Sequence, residues 1–301
     1  MRNKKHMVSN GEVYTLSMEM NEKTRNIELL HQVDLDIVKE VIKICDKHSF
    51  SYYMLGGTML GAVRHKGFIP WDDDMDVAML REEYEKFKKV CHEMDPAICY
   101  FQDHDTDKEY RWGYGKLRRT GTTYIRPGQE KLKCRTGVFI DVLPADDIPR
   151  SSFGQILNDF YCFCLRKILW AEIGKDDQSI GSFERTAYRV LSHIRPEWVF
   201  KRVDAMAKRS RNNSPNPTRT LLLPSGAKEL GMYSDGKNTL RLRYGTPKAW
   251  IREVEEFEFE GHRFFGTKYY DTYLKSRYGD YMQLPPEEKR VGKAMAETWE
   301  F

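Results

Sequence analysis

The sequence predicts an α+β fold: a mixed β-sheet flanked by helices, with a mainly helical C-terminal part. Three observations carry this. Between Asn21 and His48, the residues Ile27, Leu30, Val33, Ile37, Val41 and Ile44 recur at helical spacing with charges between them. Short apolar runs with strand character recur between residues 51 and 144. From residue 151 to about 213 the pattern is helical throughout.

The first helix leads into a short strand, Ser51-Tyr52-Tyr53-Met54-Leu55. Gly56-Gly57-Thr58 reads as a turn that breaks it, and Thr58 to Arg64 as the start of a helix. Asp72-Asp73-Asp74-Met75-Asp76 then runs into Val77-Ala78-Met79-Leu80, a strand with acids at its mouth. Arg81 to Met94 is amphipathic, with Tyr84, Phe87, Val90 and Cys91 on one side. Ile98-Cys99-Tyr100-Phe101 and Gly115-Lys116-Leu117-Arg118-Arg119 are β-like, and Gly137 to Pro144 is an apolar strand with one embedded acid, Asp141. Asp146 and Asp147 read as turn residues. Asn212-Asn213-Ser214-Pro215-Asn216-Pro217 is a loop. Glu253 to Phe265 alternates like a hairpin turning at Glu260-Gly261-His262, and Lys268 to Tyr281 is a short helix before Leu284-Pro285-Pro286. The chain divides into a core at 20–150 and a C-terminal part at 151–301 packed on it.

At 301 residues and 40% hydrophobic, the chain can bury a substantial core. A net charge of +4 is too small an excess to imply nucleic-acid binding, and it fits an anionic substrate or a peripheral membrane contact. Six cysteines without a C-x-x-C pair argue against a disulfide framework or a zinc site. The basic opening, Met1 to Leu16, has no apolar signal core, and no apolar run is long enough for a transmembrane segment. The expected location is a reducing cytoplasm, in solution or at the inner face of the membrane. Phe160 to Trp170, with Arg166 and Lys167, reads as a buried amphipathic helix or as one lying on a membrane.

The acidic run is the chemical centre. Four carboxylates in five positions need a cation or protons to neutralise them, and aspartate oxygens suit Mg²⁺, with Mn²⁺ as the alternative. On a strand, Asp72, Asp74 and Asp76 share a face and Asp73 points away. Asp141, in its own apolar strand, is the candidate third acid. The Gly56-Gly57-Thr58 turn offers backbone N–H groups and a helix N-terminus to a phosphate. Arg64, His65 and Lys66 add charge between the two halves. Lys116 and Arg118, two apart, either bind the donor or lie on a solvated edge. Trp71, Trp112 and Tyr114 either pack in the core or stack on a base or a quaternary ammonium.

The order GGT…LGAVRHKGFIPWDDDMDVAML, then YGKLRR and FIDVLPADDIP, resembles the LicD-type phosphocholine transferases, in the wider group that includes fukutin-related protein. The motifs cover roughly residues 50 to 150. The resemblance implies a nucleotidyltransferase-like fold and Mg²⁺-dependent transfer of a phospho-alcohol, phosphocholine being favoured, from a CDP-linked donor to a sugar hydroxyl. The acceptor would be a cell-surface glycan or its lipid-linked precursor, shaped by residues 151–301. By position, Asp74 and Asp76 would bind metal and Asp141 would be the third acid, as ligand or as base. Asp72, His65 and Trp71 would support them. Leu284 to Arg290 matches the start of the family's Pro-rich basic tail, whereas Val291-Gly292-Lys293-Ala294 lacks its histidine. Two other readings compete: a nucleotidyltransferase that transfers NMP itself, and a non-catalytic nucleotide-binding protein.

Overall fold

The computed structural model describes residues 10–224, 231–234, 239–290, 296 and 298–300. The first nine residues of the basic opening and the tail residues Val291 to Ala294 lie outside them. Helix α1 (Asn10–His48) leads to β1 (Tyr53–Met54), α2 (Gly56–Arg64), β2 (Asp76–Leu80) and α3 (Arg81–Val90). The strands β3 (Cys99–Gln102), β4 (Gly115–Arg119), β5 (Thr123–Ile125) and β6 (Phe139–Asp147) follow. Next come α4 (Ser152–Leu169), α5 (Ala171–Gly174), α6 (Ser182–Leu191) and α7 (Pro196–Ala207). The short strands β7 (Thr218–Arg219), β8 (Gly231–Ser234) and β9 (Thr239–Leu242) precede α8 (Ala249–Arg252). The hairpin β10 (Val254–Phe259) and β11 (His262–Thr267), α9 (Tyr270–Tyr278) and β12 (Thr298–Glu300) complete the order.

The main sheet runs β1-β2-β6-β4-β3, with β7 also on β6. It is mixed, since β2 and β6 are parallel and the other pairs antiparallel. Period-two alternation sorts its side chains. Val77, Met79, Leu117, Ile140 and Val142 join the large core with Ile37, Val41 and Ile44 of α1 and Phe87 of α3. Ala78, Leu80, Leu143 and Ala145 face the other way, with Tyr53, Tyr114 and Ile251. Asp76 and Asp141 fall on this second face, one step from those apolar residues. Trp250, Phe259, Phe264, Tyr273 and Leu274 belong to the large core, so elements beyond residue 150 cover the same sheet.

Four expectations change. Strand β2 starts at Asp76, not at the head of the acidic run, because Ile69 to Trp71 turns sharply (Asp72 N–H donates to Ile69 O, 2.9 Å) and β6 pairs only from Asp76 onward. The Gly56-Gly57-Thr58 turn is the first turn of α2 itself, entered through Gly56 at φ +57°, a conformation glycine adopts readily. Asp146 and Asp147 end β6 rather than forming a turn. Arg81 grips Asp146 through two 2.7 Å hydrogen bonds, and Lys248 pairs with Asp147. The stretch expected to be helical throughout is divided among α4, α5, α6 and α7.

Candidate active site

The parallel pairing of β2 and β6 sets Asp76 opposite Asp141, and the antiparallel pairing of β6 and β4 sets Asp141 opposite Lys116. Three ionisable residues therefore form one row across three adjacent strands. Lys116 Nζ donates to Asp141 Oδ1 and lies over the Phe139 ring (3.4 Å to its centroid). Burial pulls the Lys116 ammonium down to about 8, partly offset by Asp141. Burial, then Asp74 and Asp141, push the Asp76 carboxyl well above its usual range.

The preceding loop brings Asp72, Asp73 and Asp74 together, with oxygens within 4.8 Å of one another. Strand alternation, which would turn Asp73 away, does not operate because the loop is not a strand. Tyr124 OH donates to Asp73 (2.8 Å), and Arg126 Nη2 bridges Asp73 (3.4 Å) and Asp74 (3.0 Å). Burial, then Asp74 and Asp73, push the Asp72 carboxyl up to about 7. Asp72 also approaches α2 so closely that a Cβ at Gly57 would lie 2.5 Å from its Oδ2. A Cβ at Gly56 would lie 3.3 Å from an Asp76 oxygen. The positive end of α2 therefore meets carboxylates, and the Gly56 N–H donates to Tyr273 OH (2.9 Å) rather than standing open to a phosphate. Thr58 Oγ1 accepts from the Asp76 N–H (2.8 Å), tying α2 to β2.

Two members of the site carry no motif. Arg126 follows β5 in an irregular loop. Asp34, on α1, is 0% exposed with neither carboxylate oxygen hydrogen-bonded. Burial, then Asp74 and Asp73, raise its carboxyl well above the normal range. Asp34 and Glu40 are both buried acids of α1, so an acid among its apolar positions is no signal peculiar to the site.

A cleft of about 850 Å³ opens beside the acids, lined by Gly57, Arg64, Trp71, Asp72, Asp74 and the segment from Tyr278 to Lys289. Arg64 Nη1 donates to Tyr281 O (2.9 Å) and its Nε to His65 Nε2 (2.9 Å); His65 sits edge-on to Trp71. Lys66 is exposed at a positive φ and lines no part of the cleft. Arg118 is buried, bonded to Gln102 and to Gly137 O (2.7 Å). As β4 is an interior strand covered on both faces, neither Lys116 nor Arg118 forms a solvated edge. Trp112 and Tyr114 pack in the core beside Lys116, whereas Trp71 faces the cleft.

Residues 49–150 match the family described as LicD/FKTN/FKRP, nucleotidyltransferase domain. The lipopolysaccharide cholinephosphotransferase LicD of Haemophilus influenzae is 27% identical over 291 residues, which is 89% of this chain and 95% of that protein. An uncharacterised protein of Rickettsia prowazekii is 40% identical over 162 residues, 54% of this chain and 53% of its own. An uncharacterised protein of Rickettsia typhi is 37% identical over 54 residues, 18% of each chain.

Proposed function

With residues 49–150 matching the LicD/FKTN/FKRP nucleotidyltransferase domain, we propose that this chain is a divalent-cation-dependent phosphotransferase that moves a phospho-alcohol from a CDP-linked donor to a sugar hydroxyl. One observation carries the reading: Asp76 and Asp141 in register on parallel strands, next to an acid-lined cleft of about 850 Å³. Phosphocholine is the favoured group. The Haemophilus influenzae relative is named for it, and Trp71, Tyr278 and Tyr281 with Asp280 and Glu288 give the cleft the aromatic faces and negative charge that suit a quaternary ammonium. The acceptor is a cell-surface glycan or its lipid-linked precursor.

The residues fit a hard cation. Asp34, Asp72, Asp73, Asp74, Asp76 and Asp141 interact in one cluster that also holds Lys116, Arg118 and Arg126, so acids outnumber bases six to three. The crowded, all-oxygen donor set suits Mg²⁺ or Mn²⁺. Asp74 and Asp76 would hold the ion with Asp141 or Asp72 adjoining, and Asp73 stays committed to Tyr124 and Arg126. When bound, the ion supplies positive charge to the donor diphosphate and to the departing phosphate.

The chain's own part is positioning. Arg64, braced by the Tyr281 carbonyl, faces the cleft and orients phosphate oxygens. The acceptor oxygen bonds to the phosphorus that bears the alcohol as the bridging P–O bond breaks and CMP leaves with that electron pair. Asp141, held by Lys116, either completes the cation set or takes the hydroxyl proton.

The test is incubation with Mg²⁺ and a panel of CDP-linked choline, ethanolamine, glycerol and ribitol. CMP release with alcohol phosphate on the acceptor is expected. Nucleotide on the acceptor would establish NMP transfer instead, and cation-dependent binding without turnover would establish a binding protein. Asp76→Asn should lower turnover by at least about 100-fold with folding intact.

A further inference from the structure

Helix α4 is apolar on two opposite faces. Cys162, Leu165 and Leu169 enter a core with Val199, Phe200 and Val203 of α7. Phe153, Ile156, Leu157, Phe160 and Phe163 recur every three or four residues on another face, exposed to solvent. Phe153 is 71% exposed and Phe160 62%. The adjoining α6 repeats this, with Phe183 89% and Val190 66% exposed while Tyr188 is buried. Lys167 of α4 joins the two helices, donating to Glu184 (2.8 Å) and Tyr188 OH (2.7 Å) of α6. Ten of the thirteen large apolar side chains exposed among the described residues lie between Phe153 and Trp198. Packing among the described residues does not account for this concentration; an apolar surface outside them does.

Charge identifies that surface. Residues 150–213 hold twelve Lys and Arg against seven Asp and Glu, an excess of five, of which α4 and α6 themselves contribute two and the stretch from Lys201 to Arg211 four, while the whole chain has only +4. Asp159 is neutralised from outside this stretch, by Arg219 (2.5 Å), whereas Glu184 and Lys167 cancel each other within it. Arg189, Arg195 and Arg202 are exposed, and Arg202 lies 5.0 Å from the centroid of the Trp198 ring. Exposed phenylalanines and a tryptophan among arginines are the composition of an interfacial helix on an anionic bilayer. Self-association through this face is disfavoured, since it would set an excess of positive charge against itself.

We propose that α4 and α6 form a docking surface for an anionic lipid bilayer, with the phenylalanines entering the headgroup region and the arginines meeting lipid phosphates. The proposal is independent of which phosphate the enzyme attacks. It is tested by co-sedimentation of the full chain with vesicles of phosphatidylglycerol and phosphatidylcholine, or of phosphatidylcholine alone. Sedimentation with the anionic vesicles is expected, weakened by salt. The triple variant Phe153→Ser, Phe160→Ser, Phe183→Ser should lose at least about tenfold in partitioning. Arg189→Glu with Arg195→Glu, which keeps every apolar side chain, should lose the preference for phosphatidylglycerol. Thermal unfolding of both variants should match the parent, because the replaced side chains are exposed. The proposal is overturned if the parent stays in the supernatant, or if folded variants sediment as the parent does. It is also overturned if light scattering without lipid shows a dimer that the triple variant dissolves, because the face would then join copies of the chain.

Discussion

Asp34 hides a carboxyl on α1 beside Asp73 and Asp74 with no hydrogen bond to either oxygen. An unsatisfied buried polar group costs about 1–3 kcal/mol. Asn at this position would take one carboxyl out of the acid cluster and offer an N–H donor to Asp73 and Asp74. Asp34→Asn should therefore raise the melting temperature in chelator while shrinking the stabilisation that Mg²⁺ brings, both readable by calorimetry. Gly57→Ala separates site from fold in the same sense. Alanine favours the helix by up to about 1 kcal/mol, yet its Cβ would displace the Asp72 carboxylate. Stability should hold or rise while turnover falls; unchanged turnover would remove Asp72 from the site. Asp72 also sets a pH dependence. Its carboxyl titrates near 3.8 when unfolded and about 7 when folded. Between those values the folded chain keeps a proton the unfolded chain has lost, so stability from this group falls as pH rises through the window. A cation that takes the proton's place reverses the loss. Mg²⁺ should accordingly raise the melting temperature more at about pH 8 than at about pH 5.

Strand β5 places Tyr124 and Arg126, the donors that gather Asp73 and Asp74, and its described sheet partner is β12. Trp299 packs edge-on to Tyr124 (6.4 Å), within a cluster that includes Leu30, Val138 and Phe139. Trp299→Ala should loosen β5 and lower turnover several-fold with little change in global melting, because the large core is elsewhere. An unaltered rate would mean that β5 holds its place without β12. This dependence was not legible in the sequence. A three-residue strand paired across some 170 positions leaves no periodic trace, and an arginine before Pro127-Gly128 looks like loop solvation. Asp141 was legible because it interrupts an apolar strand, where a charge needs a reason, and Asp76 because it opens one at the end of a carboxylate run. The orientation of Asp73 was not legible, because strand alternation holds only from Asp76 onward and Asp73 lies in the loop before it. Asp34 was missed because a single acid in an amphipathic helix normally faces water.

The division at residue 150 separates motifs from a motif-poor remainder, but the packing does not follow it. Trp250, Phe259, Phe264, Tyr273 and Leu274 sit in one core with Ile37, Met59, Val77 and Val142. The tip of the β10–β11 hairpin also reaches back, with Glu260 N–H donating to Lys66 O (2.8 Å) and its carboxylate accepting from Phe68 N–H (3.0 Å). The later elements furnish the site too, since Tyr273 OH takes the Gly56 N–H and Tyr278 to Lys289 line the cleft. A fragment ending at residue 150 keeps every acid of the cluster, but it exposes the face of the core on which these aromatics rest. Each buried aromatic removed from such a core costs about 3–5 kcal/mol, and several together exceed the roughly 5–15 kcal/mol that holds a domain folded. The fragment should therefore melt without a cooperative transition, bind a hydrophobic dye and show no Mg²⁺-dependent stabilisation, whereas the whole chain unfolds the sheet and the hairpin together. A cooperative transition in the fragment, with Mg²⁺ raising its midpoint, would instead establish 20–150 as a self-sufficient catalytic core to which the remainder is added.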